Sequence, residues 1–334
     1  MATEAKEKIP LKLKLKAWWE GYDSDEVRDA YLATQNQEEE ASAPPAAPRK
    51  EAPEKTAKKP KDDIPVDPWN EKRVDIAQYI WGKGYCGPGG PEHIVTMSKL
   101  LALSPKMSMM CLGAGLGGPA RTLADKFGVW VSGYEESEHL VEAGNEMSLK
   151  AGMSKKADLH VYVADGSTDF GRKFDRVLAK EYLFLVENKK GLMGATFEAT
   201  KPDGLILITD YVLGSESVVT SDAYLEWKES ERGKVYPITE EALKELVTTA
   251  GYSVRVHEDI SDQQIHLIAN AWSGADKVIA ELTKDKDGTA LVDTLLQEAE
   301  FWARRSKLLT DGTLRLWRTL GYKKEDGPPM MSNW

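Results

Sequence analysis

The chain has 334 residues, with 44 Lys and Arg against 54 Asp and Glu and a formal net charge of −10. That acidic balance excludes a general binder of nucleic-acid phosphate, which depends on clustered Lys and Arg. No apolar run is long enough to span a membrane, the N-terminus is too charged for a secretory signal, and the two cysteines supply neither a zinc spacing nor a disulfide framework, so a cytoplasmic chain with core enough for about two domains is expected.

In residues 9–22, Leu11, Leu13 and Leu15 alternate with Lys12, Lys14 and Lys16, and Trp18 and Trp19 follow. Alternation at period two puts the leucines on one face of an extended strand. This reads as an element docking to a protein partner or a membrane surface, and equally as an edge strand or short helix packed on its own domain. Residues 37–67 are rich in Pro, Ala, Glu and Lys without apolar periodicity, the composition of a disordered, extended linker. The expected organisation is a docking segment at 1–36, a linker at 37–67 and one domain at 68–334.

Trp69, Tyr79, Trp81 and Tyr85 open that domain as an aromatic group that either encloses a cationic amine or packs as core. The stretch 107–124 then reads as a buried strand running into a glycine turn that opens a helix, with Met107, Met109 and Met110 as core filler. Gly113, Gly115 and Gly117 clear side chains from a ligand's path, and Pro119 sits where a first helical turn can spare its N–H. This is the pattern of a nucleotide-binding turn, and an adenosine-containing ligand is expected. Gly113, Gly115 and Gly118 also fit the dinucleotide pattern G-x-G-x-x-G, which keeps a nicotinamide dehydrogenase open.

A second strand at 129–134 ends in Glu135, about twenty residues after the turn, where a carboxylate can take both ribose hydroxyls. A third at 159–164 ends in Asp165 and Gly166, and a fourth at 174–179 ends near Lys180 and Glu181. Then come a helix, Lys201-Pro-Asp-Gly204 and a fifth strand at 205–209 closing on Asp210 and Tyr211. In an open parallel sheet the ligand lies outside the carboxyl ends of the strands, so the turn, Glu135, Asp165, Glu181 and Asp210 converge on one crevice. Glu181 and Asp210 can bind or deprotonate an acceptor there, or merely cap a neighbouring helix or loop. An amphipathic helix at 238–250 starts near Thr239 and stops before Gly251, and a sixth strand follows at 253–258. Two helical stretches between 261 and 309 form a lid, ahead of a final strand at 312–322. Ser261-Asp-Gln-Gln264 reads as a capping box that places His266 early in a helix facing the crevice, as a general base or as a locally satisfied histidine.

Gly82-Lys-Gly-Tyr-Cys-Gly-Pro-Gly-Gly90, Leu112-Gly-Ala-Gly-Leu-Gly-Gly-Pro-Ala-Arg121, Glu187-Asn-Lys189, Lys201-Pro-Asp-Gly204 and Ile208-Thr-Asp-Tyr211 occur in an order and at spacings that resemble a class I S-adenosylmethionine-dependent methyltransferase. The likeness covers about residues 79–324 and is greatest to the phosphoethanolamine N-methyltransferases and related small-molecule N-methyltransferases. It implies an α/β fold: a Rossmann-like seven-stranded sheet with helices on both faces, a helical lid, and a last antiparallel strand beside the fifth. It implies S-adenosyl-L-methionine as cofactor, with Glu135 on the ribose, Asp165 facing the adenine amino group, and the 87–90 loop over the methionine end. Tyr85, Gly89, Gly113, Ala114, Gly115, Gly117, Glu136, Gly166 and Lys180 complete the expected cofactor set. Trp69, Tyr79, Trp81, Tyr211 and Tyr236 are the expected acceptor contacts, and His266, Glu181 and Asp210 the candidate proton acceptors, with no metal. The family's tyrosine–histidine latch is missing: Trp69 stands where the tyrosine belongs, and the apolar run 182–186 replaces the histidine. The expected activity is methylation of a small acceptor, nitrogen favoured by the likeness. A catalytically silent cofactor-binding regulator is the alternative.

Overall fold

The computed structural model describes residues 67–284 and 288–324. The docking segment and all but the last residue of the linker lie outside the described residues. In chain order the elements are α1 (Glu71–Trp81), α2 (Gly90–Met97), β1 (Ser108–Leu112), α3 (Gly118–Phe127), β2 (Trp130–Glu135), α4 (Glu138–Lys150), β3 (Ala157–Val161), β4 (Phe174–Lys180), α5 (Lys189–Ala199), β5 (Thr200–Leu213), α6 (Asp222–Ser230), α7 (Glu240–Thr249), β6 (Ser253–Asp259), α8 (Ser261–Trp272), α9 (Ala275–Leu282), α10 (Gly288–Thr310) and β7 (Leu314–Tyr322). Short 3₁₀ turns follow α2, β4 and β5.

The seven strands form one sheet in the order β3-β2-β1-β4-β5-β7-β6. β1 to β5 pair in parallel, whereas β7 runs antiparallel between β5 and β6. The order reverses between β1 and its two neighbours β2 and β4, so the loops after these strands diverge and leave a crevice at their carboxyl ends. An inserted antiparallel β7 is foreign to the all-parallel dinucleotide sheet and disfavours the dehydrogenase reading.

Local signals account for most boundaries. Asn70, Ser137, Asn188, Ser221 and Thr239 each accept a backbone N–H from the first turn of α1, α4, α5, α6 and α7, satisfying groups a helix start leaves open. The apolar core on one face of the sheet joins Ile206, Ile208 and Val212 of β5 to Leu243, Leu246 and Val247 of α7 and to Leu192 and Met193 of α5. A smaller cluster of Val74, Leu116 and Leu140, with Trp69 and Cys86 against it, fixes α1 and the 82–90 loop onto the glycine turn.

Four expectations are corrected. The third strand is Ala157–Val161 rather than 159–164, because its ladder ends where β2 ends, at the Glu135–Val161 pair. Lys201-Pro-Asp-Gly204 is not a separate connection but part of a 14-residue β5, which takes it up through an irregular register opposite Phe174 and Arg176 and a left-handed Asp203 (φ 59°). Ser261 does not cap α8: its hydroxyl donates to Asp259 Oδ1 and accepts the Leu316 N–H, so it ties the helix start to β6 and β7. The lid comprises three helices, α8 to α10, where two stretches were expected; α10 packs on α8, α1 and α6.

Candidate functional site

β1 delivers the chain to the crevice at Leu112, and the turn beyond it uses left-handed backbone at Gly113, Gly115 and Gly117 (φ 63°, 54° and 74°). A Cβ at Gly113 would lie 2.4 Å from the Tyr182 ring, so no other residue fits without moving that ring. The Gly118 N–H bonds Gly84 O at 2.9 Å, which lays the 82–90 loop directly over the start of α3. Tyr85 is buried in that loop with its hydroxyl 2.7 Å from Thr122 Oγ1. Gly89 (φ 119°) caps α2, where a Cβ would strike His93.

Glu135, the last residue of β2, folds its carboxylate back onto this turn. Oε2 accepts Gly115 N–H at 2.8 Å, and Oε1 accepts the N–H groups of Glu136 at 2.9 Å and Ser137 at 3.3 Å. Burial raises its pKa and these three amides oppose the rise. A carboxylate offers about four acceptor sites. Oε1 is therefore filled and Oε2 keeps capacity for a further donor, beside a backbone stripped of side chains.

Next to it, Glu136 accepts the Ala164 N–H at 3.3 Å and the Tyr182 hydroxyl at 2.9 Å, and Tyr182 in turn accepts the Tyr162 hydroxyl at 2.7 Å. The ends of β2, β3 and β4 are thus cross-tied by two buried tyrosines. Sequence reading missed both, because Tyr182 lies in a run read as apolar and Tyr162 in one read as plain strand. Asp165 is exposed in the following loop, where its carboxylate accepts the Ser167 N–H at 2.8 Å and its carbonyl accepts Asn188 Nδ2 at 2.6 Å. Hydrogen bonds from Ser167 lower its pKa. Gly166 (φ 84°) lies against Gly191 at the start of α5.

At the end of β4, Lys180 and Glu181 form a largely buried ion pair, and Glu181 is held in the left-handed region (φ 52°). A non-glycine residue kept there stores strain of a kind that clusters at binding sites. His93 of α2 stands close enough to feel both charges, and burial first, then the Lys180 ammonium, lowers its pKa to about 4. It is a neutral imidazole at the strand ends that sequence reading did not single out.

Alternation along β5 separates two further candidates. Tyr211 faces Phe184, its ring 5.2 Å away, and accepts a hydrogen bond from Gln264 Nε2 at 2.8 Å. Asp210 points to the opposite face, shared with Ile208 and Val212, fully buried and with neither carboxylate oxygen hydrogen-bonded among the described residues. Burial pushes its pKa up and lowers that of Lys189, and each charge partly offsets the other's shift. Lys189 Nζ donates to Val186 O at 2.6 Å and to Tyr236 O, stapling the loop after β4 to the segment before α7. Tyr236 reinforces the staple, its N–H on Phe184 O at 2.6 Å and its hydroxyl on Glu187 at 3.0 Å.

Some candidates do not converge. His266 is exposed, two residues beyond Gln264 and so about 200° around the helix from the face that meets Tyr211. The residue that reaches the crevice side from α8 is Gln264. The opening aromatics do not form one cage either. Trp81 is buried edge-on against Trp272 and Trp302 at 6.2 and 4.7 Å, Tyr79 on another face of α1 is half exposed, and Trp69 lies 4.7 Å from the Arg232 guanidinium. Leu185, in the run that replaces the latch histidine, is partly exposed. On this side Glu231 pairs with Arg305, and Glu298 with both Arg73 and Arg232.

No family model matches the chain. Phosphoethanolamine N-methyltransferase 1 of Zea mays is 26% identical over 220 residues, 65% of this chain and 41% of that protein. The Plasmodium falciparum phosphoethanolamine N-methyltransferase is 24% identical over 199 residues, 58% of this chain and 71% of that protein. Among solved structures, Haemonchus contortus phosphoethanolamine N-methyltransferase 2 in complex with S-adenosyl-L-methionine superposes with a TM-score of 0.67 at 20% identity, covering 75% of this chain and 57% of that one. The chain therefore spans less than half the length of the maize relative. The fold is that of the class I methyltransferases.

Proposed function

We propose that the chain binds S-adenosyl-L-methionine at the carboxyl ends of β1, β2 and β4 and transfers its methyl group to a nitrogen of a small acceptor held between the strand ends and the lid. The observation that carries this reading is Glu135, whose part-buried carboxylate is locked onto the Gly115 N–H with a lone pair to spare, beside backbone cleared by glycine. A ribose diol is the chemistry such a carboxylate takes. The likeness to enzymes acting on phosphoethanolamine, an amine, supports nitrogen as the acceptor atom.

When bound, the sulfonium would supply an electrophilic methyl and a neutral thioether leaving group to an acceptor nitrogen that sheds one proton. The residues of the chain then have three tasks. The glycine turn and Glu135 hold the adenosyl end; the lid excludes water; and the groups around Tyr211 set the acceptor in line behind the methyl, where alignment supplies much of the rate. Glu181, at the end of β4 and close enough to Tyr211 to raise its pKa, is the first candidate to receive the proton.

Titration calorimetry with S-adenosylmethionine, S-adenosylhomocysteine and NAD tests binding, and S-adenosylhomocysteine formation against a panel of amines tests transfer. Binding of the first two but not NAD, with turnover on an amine, is expected. Tight binding without turnover on any acceptor favours a silent regulator, a second reading motivated by Trp69 and the apolar run 182–186 in the latch positions. The organisation at 1–36 and 37–67, partner or membrane-surface docking through 9–22 and a cytoplasmic location are proposals resting on the sequence alone.

A further inference from the structure

The guanidinium of Arg305 lies among four aromatic rings: its central carbon is 5.2 Å from the centroid of Phe184, 4.8 Å from Tyr211, 4.6 Å from Phe301 and 5.0 Å from Trp302. Phe184 and Tyr211 come from the ends of β4 and β5, whereas Phe301 and Trp302 lie one turn back on α10, so the cation is clamped between sheet and lid. Glu231 closes the cage, its Oε1 accepting Arg305 Nε at 3.2 Å and Nη2 at 2.5 Å as well as Trp227 Nε1. Both side chains of this pair are buried, 7% and 3% exposed. Ring faces within about 6 Å and a carboxylate counter-charge are what recognises an alkylammonium ion.

The cage adjoins the proposed cofactor crevice. A Cβ on Gly87 would sit 3.7 Å from Trp302, and the preceding Cys86 Sγ would be 3.2 Å from one on Gly115. Around it, Glu231 pairs with Arg305, and Glu298 with both Arg73 and Arg232. We propose that Arg305 is a specificity-determining residue: delivered by the lid, it fills the cation cage of the acceptor side and so excludes acceptors that carry a fixed positive charge. The kinetic part of this rests on the methyltransferase reading; the binding part does not.

The test uses the full chain and Arg305→Ala, with methylguanidinium and tetramethylammonium as probes at constant ionic strength. Arg305→Ala should gain saturable binding and a melting-temperature rise with both probes that wild type lacks, and Glu231→Gln in that background should abolish the gain. In turnover, the kcat/KM ratio of (2-aminoethyl)trimethylammonium to its neutral isostere 3,3-dimethylbutylamine should rise about tenfold in Arg305→Ala and stay at the wild-type value in Arg305→Lys. If Arg305→Ala does not fold, Arg305→Gln removes the charge while keeping a donor for Glu231 and should raise the same ratio. A folded Arg305→Ala that binds neither probe, wild type binding tetramethylammonium equally well, or an unchanged amine ratio in Arg305→Gln overturns the proposal. Absence of turnover by wild type on every acceptor counts against the methyltransferase reading and leaves the probe-binding result to decide the cage.

Discussion

Replacing Glu135 by alanine separates the two tasks assigned to its carboxylate. Within the fold it accepts three backbone N–H groups, from Gly115, Glu136 and Ser137. Losing it leaves partly buried donors without an acceptor, at about 1–3 kcal/mol in total once water enters the space, a drop of roughly 2–12 °C in Tm for a domain of this size. Toward the ligand it offers a charged acceptor through Oε2, and removing a hydrogen bond to a charged group weakens binding by roughly 2 kcal/mol, or about 30-fold in Kd. Glu135→Gln keeps one carbonyl oxygen and should fall between wild type and alanine in both measurements. Calorimetric titration of S-adenosylhomocysteine, with melting curves recorded without ligand, reads the two effects independently. Undiminished S-adenosylhomocysteine affinity in a folded Glu135→Ala would refute the placement of the ribose at the end of β2.

Asp210, its pKa pushed up to about 8 chiefly by burial, is neutral in folded and unfolded chains alike below the ordinary carboxylate range. As pH rises from about 4 to about 8 the unfolded chain ionises first and stability is lost, so Asp210→Asn should flatten the decline in Tm over that window; an unchanged slope in thermal melts would show the group is already ionised in the fold. His266→Ala, on the exposed face of α8, should leave kcat and its pH profile unaltered, and a selective loss at low pH would return that residue to the proton path. A chain beginning at Ile64 should keep the S-adenosylhomocysteine affinity and Tm of the full protein while losing any association with vesicles or partner proteins, and strong destabilisation would mean that Leu11, Leu13, Leu15 and the tryptophans belong to the core.

Features encoded over short stretches of chain were legible without coordinates. The strand entering Gly113, the capped helix behind Thr239 and the strands ending at Glu135 and beside Glu181 follow from hydrophobic period and turn chemistry, which act between near neighbours in sequence, whereas the antiparallel last strand was implied only by the family likeness and β5 runs past Asp210 to Leu213. Tertiary structure alone decided which ends meet. Tyr182 reaches across β1 to Glu136, 46 residues away in sequence. Gln264 rather than His266 turns toward Tyr211, because Ser261 is bound to Asp259 and Leu316 instead of capping its own helix. Asp210 and Tyr211, adjacent in the chain, part to opposite faces of a buried strand, one toward Lys189 and the other toward Arg305. Burial, charge compensation and ring packing depend on groups brought together from distant parts of the chain, and no local pattern records which of them will be neighbours.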